Sequence, residues 1–85
     1  MKKVEIYSSN HCPYCVKAKK LLDEKGATYE EYRIDQNSDY IAEAMERSNG
    51  QRTVPQIFID GDHIGGCDDM YALEAAGSLD SKLAD

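Results

Sequence analysis

The alternation of apolar and polar side chains along the chain predicts four short strands. Apolar, aromatic or β-branched residues are concentrated in segments 4–8, 28–34, 56–59 and 62–64. The third segment, Gln56-Ile57-Phe58-Ile59, is the most apolar, and the dipeptide Asp60-Gly61 after it is a hairpin turn that returns the chain as the fourth strand. The second segment alternates weakly, which favours a strand at the edge of the sheet.

Three further segments carry apolar residues at helical spacing. The first begins at Pro13, which favours the first position of a helix, and ends at Gly26, which permits a left-handed turn. Ser38 is predicted to cap a second helix that stops at Asn49-Gly50, and a third helix runs from about residue 67 to 76. The predicted inward-facing residues are Tyr14, Ala18, Leu21 and Leu22 in the first helix, Ile41, Ala44 and Met45 in the second, and Met70 and Leu73 in the third.

The order of these elements, β-α-β-α-β-β-α, predicts an α/β protein with one mixed, four-stranded sheet flanked by helices. Leu79 and Leu83, four residues apart, predict a last helical turn that packs back on the body. A chain of 85 residues forms one compact core, so we expect a single domain spanning residues 1–85.

Composition and charge narrow the class of protein. The net charge of −6 disfavours nucleic acid, and no apolar run is long enough to span a bilayer, so neither a nucleic-acid nor a membrane partner is expected. The basic start Met1-Lys2-Lys3 continues into the strand-like Val4-Glu5-Ile6 instead of the apolar segment of a secretory leader. We therefore expect a cytoplasmic protein in a reducing compartment, where three cysteines indicate reactive thiols more than structural disulfides.

Two of the cysteines lie at the junction of the first strand and the first helix, in the motif Cys12-Pro13-Tyr14-Cys15. Cys12 falls at the helix N-cap, where unpaired N–H groups and the positive end of the helix dipole favour an anion, so we expect its thiol to have a lowered pKa. Cys15 lies one turn further along, on the same side and deeper. The motif therefore predicts a redox pair in which Cys12 is the nucleophile and Cys15 is the resolving thiol.

A structural zinc site is the alternative use of such a cysteine pair. Structural zinc needs four ligands, usually from two such pairs. Only Cys67, His11 and His63 remain to complete a site, and none has the required spacing, so no metal site is predicted. Inert buried cysteines are also disfavoured, because Pro13 fixes Cys12 at an exposed helix start.

Three separated motifs follow one another along the chain: Cys12-Pro13-Tyr14-Cys15, Arg52-Thr53-Val54-Pro55 and Gly65-Gly66-Cys67-Asp68-Asp69. Together they resemble the glutaredoxin family, and in particular its short dithiol members, and the resemblance covers essentially the whole chain. The resemblance implies a thioredoxin fold with a cis peptide bond before Pro55. It also implies a thiol–disulfide oxidoreductase that uses glutathione as a co-substrate and has no tightly bound cofactor.

The resemblance further implies where glutathione binds. The backbone of Val54 would pair with the cysteinyl residue of glutathione as an added strand does. The start of the third helix would hold the γ-glutamyl carboxylate, and Asp68 would receive the ammonium group. The implied glutathione contacts are Tyr14, Arg52, Thr53, Val54, Pro55, Gly66, Cys67 and Asp68, beside the catalytic pair Cys12 and Cys15.

Structural interpretations remain open for several of these residues. Val54-Pro55 is also compatible with the plain start of a strand, and Tyr14 with an exposed aromatic side chain. Asp68 and Asp69 can each simply complement the helix dipole, and for Asp69 this is the default interpretation, so we do not count Asp69 as a ligand. Cys67 is interpreted as a small hydrophobe, the alternative being a second oxidation-prone thiol of low pKa, because its helix start resembles that of Cys12.

One position departs from the family pattern. Many members have a lysine three residues before the first cysteine, close to the glycyl carboxylate and the thiolate, where this chain has Ser9. Loss of that positive charge is expected to weaken glutathione binding and to lessen the lowering of the Cys12 pKa. His11 and Lys17 are the candidates to replace it.

The partners implied by the resemblance are glutathione and glutathionylated or disulfide-bonded proteins, with ribonucleotide reductase as a dithiol client. Glutathione reductase and NADPH would supply electrons indirectly, and we expect a monomer. Two alternatives remain. A redoxin served by thioredoxin reductase would share the cysteine pair but lack the glutathione pocket from Gly65 to Asp68. An iron–sulfur cluster carrier is disfavoured, because members specialised for that role have Gly and Ser where Pro13 and Cys15 stand here.

Overall fold

The computed structural model describes residues 1–85 and contains one four-stranded sheet with helices on both faces. The strands are β1 (Val4–Ser8), β2 (Tyr29–Arg33), β3 (Gln56–Ile59) and β4 (Asp62–Gly65). The helices are α1 (Pro13–Glu24), α2 (Asp39–Arg47), α3 (Cys67–Ala75) and α4 (Leu79–Leu83). The predicted α/β fold with a mixed sheet is therefore confirmed, and the predicted last turn is the short helix α4.

The strands lie in the order β2-β1-β3-β4, with β1 and β2 parallel and the other neighbours antiparallel. The weakly alternating strand β2 is at the edge of the sheet, as its pattern predicts. Between β3 and β4, Asp60 and Gly61 have φ angles of +53° and +82°, the left-handed pair that a two-residue hairpin turn requires. Strand β1 carries the chain toward the end of the sheet where Cys12 and Cys15 lie, and the antiparallel β3 begins at that same end.

The main core lies on the face of the sheet covered by α1, α3 and α4. Alternate residues of β1 and β3 point to this side, where helix side chains bury them. The twelve buried members of this cluster are Val4, Ile6, Ala18, Leu21, Leu22, Ala27, Ile57, Ile59, Cys67, Met70, Leu79 and Leu83. Burial of Leu79 and Leu83 explains why the chain end folds back, since each apolar side chain removed from water contributes about 1.5–3 kcal/mol.

The opposite face, under α2, is smaller and more polar. Tyr7 and Phe58 are buried there with Ala44, and Arg47 of α2 crosses above them. The Arg47 guanidinium lies 4.0 Å from the Phe58 ring centroid and makes two hydrogen bonds to Glu5, at 2.9 and 3.0 Å. This pairing lowers the pKa of the Glu5 carboxyl and fixes α2 on the sheet through charge and stacking as well as apolar contact.

Three predicted details are wrong. Tyr14 is 60% exposed, and Cys15 takes its place in the buried stripe, because Cys15, Ala18 and Leu22 lie on one side of the helix. Ile41 is 45% exposed because only Ala44 of α2 reaches the core. Ser38 makes no capping hydrogen bond, and the Asn37 side chain instead accepts from the Asp39 N–H at 3.0 Å.

No helix of the structure combines the length and the apolar character needed to cross a membrane.

Candidate active site

Cys12 lies where β1 ends and α1 begins, as the sequence predicts. Its backbone is extended, with φ −111° and ψ 99°, and it is the N-cap residue ahead of Pro13. The backbone N–H of Cys15 donates a hydrogen bond of 3.2 Å to the Cys12 sulfur. An N–H group that the helix itself cannot use therefore points at this sulfur, which is the arrangement that stabilises negative charge at a helix start.

The two cysteines of the motif are paired, and they differ in exposure. Cys12 and Cys15 form a disulfide with their Cα atoms 5.2 Å apart. Cys12 is partly exposed, whereas Cys15 is 1% exposed beneath the first turn of α1. An incoming thiol or disulfide therefore reaches the sulfur of Cys12 and not that of Cys15.

The loop before β3 lies against this pair. The Val54–Pro55 peptide bond is cis, and β3 begins only at Gln56, so Val54-Pro55 is not the plain strand start that the sequence left open. The Val54 carbonyl oxygen lies 3.8 Å from the Cys12 sulfur. The Val54 N–H makes no hydrogen bond within the chain, so it can pair with an extended ligand.

A groove of about 230 Å³ separates this loop from the start of α3. Its lining residues are Tyr14, Gln51, Thr53, Val54, Pro55, Gly66, Cys67, Asp68 and Asp69. Seven of the eight predicted glutathione contacts therefore line one cavity, although they come from three separate motifs. Arg52 does not line it and is exposed on the loop, whereas its neighbour Gln51, which the motifs did not identify, does.

The second wall of the groove depends on Gly65 and Gly66. Gly65 has φ +118°, a conformation that side chains disfavour, and a Cβ there would overlap the Asp69 carboxylate. A Cβ on Gly66 would lie 3.4 Å from the Pro55 carbonyl oxygen, so the start of α3 approaches the cis-proline loop closely. Asp69 accepts the Gly66 N–H at 2.9 Å, which agrees with its interpretation as a helix-start acid. The first-turn N–H groups of Cys67 and Asp68 are not used by the helix.

Cys67 differs from the oxidation-prone thiol that its helix start suggested. Its side chain is 4% exposed, and burial raises the pKa of the thiol. The charge of Asp68 acts in the same direction and that of Lys17 opposes it. Cys67 therefore fits the interpretation as a small buried hydrophobe and not the alternative of a second low-pKa thiol, because desolvation outweighs the helix dipole here.

The residues around Ser9 carry positive charge that is already paired. Ser9 lies with His11 at the edge of a second groove on the far side of Cys12, which Lys19 and Arg33 also line. Lys19 pairs with Glu31 and Arg33 with Asp35, each at 2.8 Å, and the Arg33 guanidinium lowers the pKa of the Asp35 carboxyl. Lys17, the other proposed replacement for the family lysine, lies over the Tyr71 ring at 4.6 Å.

Comparisons with known proteins agree with this site. The family model described as Glutaredoxin matches residues 4–64. The chain is 55% identical over 83 residues to Glutaredoxin 3 of Escherichia coli (strain K12), covering 98% of this chain and 99% of that protein. It is 48% identical over 84 residues to a glutaredoxin of Pseudomonas aeruginosa, covering 99% of both chains.

Solved structures give the same result. A crystal structure of a buckwheat glutaredoxin–glutathione complex superposes with a TM-score of 0.85 at 43% identity, over 94% of this chain and 74% of that one. A solution structure of glutaredoxin from Brucella melitensis has a TM-score of 0.84 at 52% identity, over 98% of this chain and 89% of that one. A redox-active cysteine pair at a helix start, a cis-proline loop and a matching family model together show that this chain belongs to the glutaredoxin family of thiol–disulfide oxidoreductases.

Proposed function

We propose that this protein reduces protein–glutathione mixed disulfides and protein disulfides, and that glutathione is its co-substrate. The observation that carries the proposal is the groove of about 230 Å³ beside Cys12, lined by backbone groups with no partner in the chain. A tripeptide offers such a groove the amide and carboxylate groups that it can bind. One similar solved structure is a complex with glutathione, which supports this choice of ligand.

Each part of glutathione has a matching group in the groove. The Val54 backbone pairs with its cysteinyl residue and so directs its sulfur at Cys12. The first-turn N–H groups of Cys67 and Asp68 receive the γ-glutamyl carboxylate, and the Asp68 carboxylate receives the ammonium group. Tyr14, Thr53 and the exposed Arg52 are left for the glycyl end.

Reduction of a glutathionylated protein needs only Cys12. Its thiolate attacks the glutathione sulfur of the mixed disulfide, so that a Cys12–glutathione bond forms and the target cysteine leaves as a thiolate that takes up a proton. The thiolate of a second glutathione then attacks the bound glutathione sulfur. Glutathione disulfide leaves and the Cys12 thiolate is regenerated, so one free glutathione is consumed for each mixed disulfide that is reduced.

Reduction of a protein disulfide needs both cysteines. Cys12 attacks one sulfur of the target, and Cys15 then attacks Cys12 in the resulting mixed disulfide, which releases the reduced target and forms the Cys12–Cys15 disulfide. Two glutathiones reopen that bond and leave as glutathione disulfide. In this scheme ribonucleotide reductase is a dithiol client, and glutathione reductase with NADPH returns the glutathione to its reduced form.

The same scheme predicts the cellular location, the oligomeric state and the cofactor requirement of the protein. The cycle consumes reduced glutathione, so we place it in the cytoplasm, where thiols are kept reduced. Residues 1–85 act as one domain and as a monomer, because the cysteine pair and the whole groove come from a single chain. No cofactor is bound tightly, since both electrons pass through sulfur.

The test is a disulfide reductase assay with two electron sources. We expect strong turnover with glutathione, glutathione reductase and NADPH, and weak turnover when thioredoxin reductase and NADPH replace them. Cys12→Ser in both assays measures the background. Strong turnover with thioredoxin reductase alone would contradict the proposal and favour a thioredoxin-like redoxin.

A further inference from the structure

Gln56 carries the longest polar side chain that the structure buries completely. It is the first residue of β3, directly after the cis proline, and is 0% exposed. Its amide Nε2 donates to the Thr53 carbonyl oxygen at 3.0 Å, and contacts Thr53 Oγ1 and Gln51 Oε1 at 3.2 Å each. A buried amide with this many partners constrains each of them, because leaving any one unpaired costs free energy.

The orientation of this amide is set by the group on each side. The Thr53 carbonyl can only accept a hydrogen bond, so the NH₂ end of Gln56 faces the loop and Oε1 faces away from it. Oε1 lies 2.6 Å from Nε2 of His63 on β4, and the histidine must therefore carry its hydrogen on Nε2. The chain His63, Gln56, Thr53 thus runs in one hydrogen-bonding direction from β4 to the loop.

The loop held in this way forms one wall of the groove. Gln51 and Thr53 both line it, and Val54, which follows Thr53, brings its carbonyl oxygen to 3.8 Å from the Cys12 sulfur. We propose that Gln56, oriented by His63, is a positioning residue that sets the glutathione groove by fixing loop 51–53 without touching the ligand. This inference rests on the proposed function, since it concerns how the same groove binds glutathione.

The variant that tests it is Gln56→Met, which keeps the length of the side chain and removes its hydrogen bonds. We expect the KM for a glutathionylated peptide to rise roughly tenfold, the factor that corresponds to about 1.4 kcal/mol of binding free energy. We expect kcat at saturation to stay within about twofold, because Cys12 and the start of α1 are unchanged. The matched control is Gln36→Met, the same change at an exposed position whose side chain makes no hydrogen bond in the structure.

His63→Phe provides an independent variant. The His63 ring packs on Phe58, with centroids 5.0 Å apart, so phenylalanine keeps that contact and removes only the donor to Gln56. We expect a smaller rise in KM, about threefold. The double variant should show no further rise beyond Gln56→Met, because both changes act through one chain of hydrogen bonds.

The outcomes separate the positioning role from the function on which it rests. A wild-type protein that shows no saturation by the glutathionylated peptide contradicts the proposed function, whatever Gln56 does. Saturation in the wild type with an unchanged KM in folded Gln56→Met, even at a lower melting temperature, overturns the positioning role alone. If Gln56→Met does not fold, His63→Phe decides, and a wild-type KM in that variant is the contrary result.

Discussion

Two helices of this protein have a cysteine at their start, and the two starts differ in what surrounds the sulfur. Cys12 is the N-cap of α1, is partly exposed, and accepts the Cys15 N–H at 3.2 Å. Cys67 is the first residue of α3, is 4% exposed, and belongs to the apolar core. Both lie at the positive end of a helix dipole, but burial raises the pKa of the Cys67 thiol.

This difference shows that a helix dipole alone does not make a reactive thiol. Placing a charge at a helix start gains about 0.3–1 kcal/mol at the surface, whereas removing a thiolate from water costs more. At Cys12 the sulfur remains in contact with solvent and gains an N–H donor. At Cys67 the side chain packs into the core, and only its backbone N–H is left to serve the groove.

The largest loss of activity is expected from a substitution of Cys12, the partly exposed cysteine at the start of α1. Cys12→Ser should lower turnover with a glutathionylated peptide and with a protein disulfide by at least about three orders of magnitude, because a serine hydroxyl is a far weaker nucleophile at neutral pH. The glutathione-coupled assay measures both reactions. Substantial activity remaining in Cys12→Ser would place the attacking sulfur at Cys15 or Cys67 and would invert the comparison.

The next prediction distinguishes the role of Cys15 from that of Cys12. Cys15→Ser should keep the rate of peptide deglutathionylation within about threefold of wild type. It should lower the rate of protein-disulfide reduction by a factor of about ten or more, because only that reaction needs a resolving thiol. Both rates are measured on the same preparation. Equal losses in the two assays would contradict the division of labour between the exposed and the buried cysteine.

The start of α1 could be predicted from the sequence because its determinants are local. Pro13 marks the first helical position and Cys12 precedes it, so the exposure of that sulfur follows from the motif. Of the stripe predicted for α1, Ala18, Leu21 and Leu22 are buried and only Tyr14 is not. Tyr14 has an aromatic ring at a helical spacing, and nothing local shows that it faces solvent. Tertiary packing decides that point.

The start of α3 and the groove depend on contacts between distant parts of the chain. Burial of Cys67 comes from strands and helices that the motif does not contain. Gln51 reaches the groove through its contact with Gln56, and Arg52, which the motif favoured, points elsewhere. The motif residues could thus be identified as a set, but their individual environments could not.

The start of α3 also depends on backbone conformation in a way that the start of α1 does not. Gly65→Ala should lower the free energy of unfolding by about 2–4 kcal/mol, because alanine disfavours φ +118° and its Cβ overlaps the Asp69 carboxylate. Gly26→Ala is the matched control, since φ is +71° there and nothing lies within 4 Å, so only about 1 kcal/mol is expected. Urea unfolding of both variants measures the difference. Equal losses would show that conformation alone, and not the contact with Asp69, requires glycine at position 65.

The smallest effect is expected at Cys67, the buried thiol at the start of α3. In the oxidised protein Cys12 and Cys15 are paired, so Cys67 is the one free thiol and its alkylation by iodoacetamide can be followed alone. Because burial raises its pKa in the folded state, the rate of labelling should rise with pH along a curve displaced to higher pH than for the same chain unfolded in urea. At pH 8 the folded protein should react at least about tenfold more slowly.

The raised pKa of Cys67 also predicts how the free energy of unfolding depends on pH. Between the ordinary pKa of a cysteine and the raised pKa of Cys67, the folded state holds a proton that the unfolded state has lost. The contribution of Cys67 to the free energy of unfolding is therefore full below the ordinary pKa and falls as the pH rises toward the raised pKa. Cys67→Ala should remove that decline while leaving the alkaline contribution of other groups in place. A labelling curve displaced to lower pH than that of the unfolded chain would mean that the helix dipole outweighs burial at α3, and the two helix starts would then be alike.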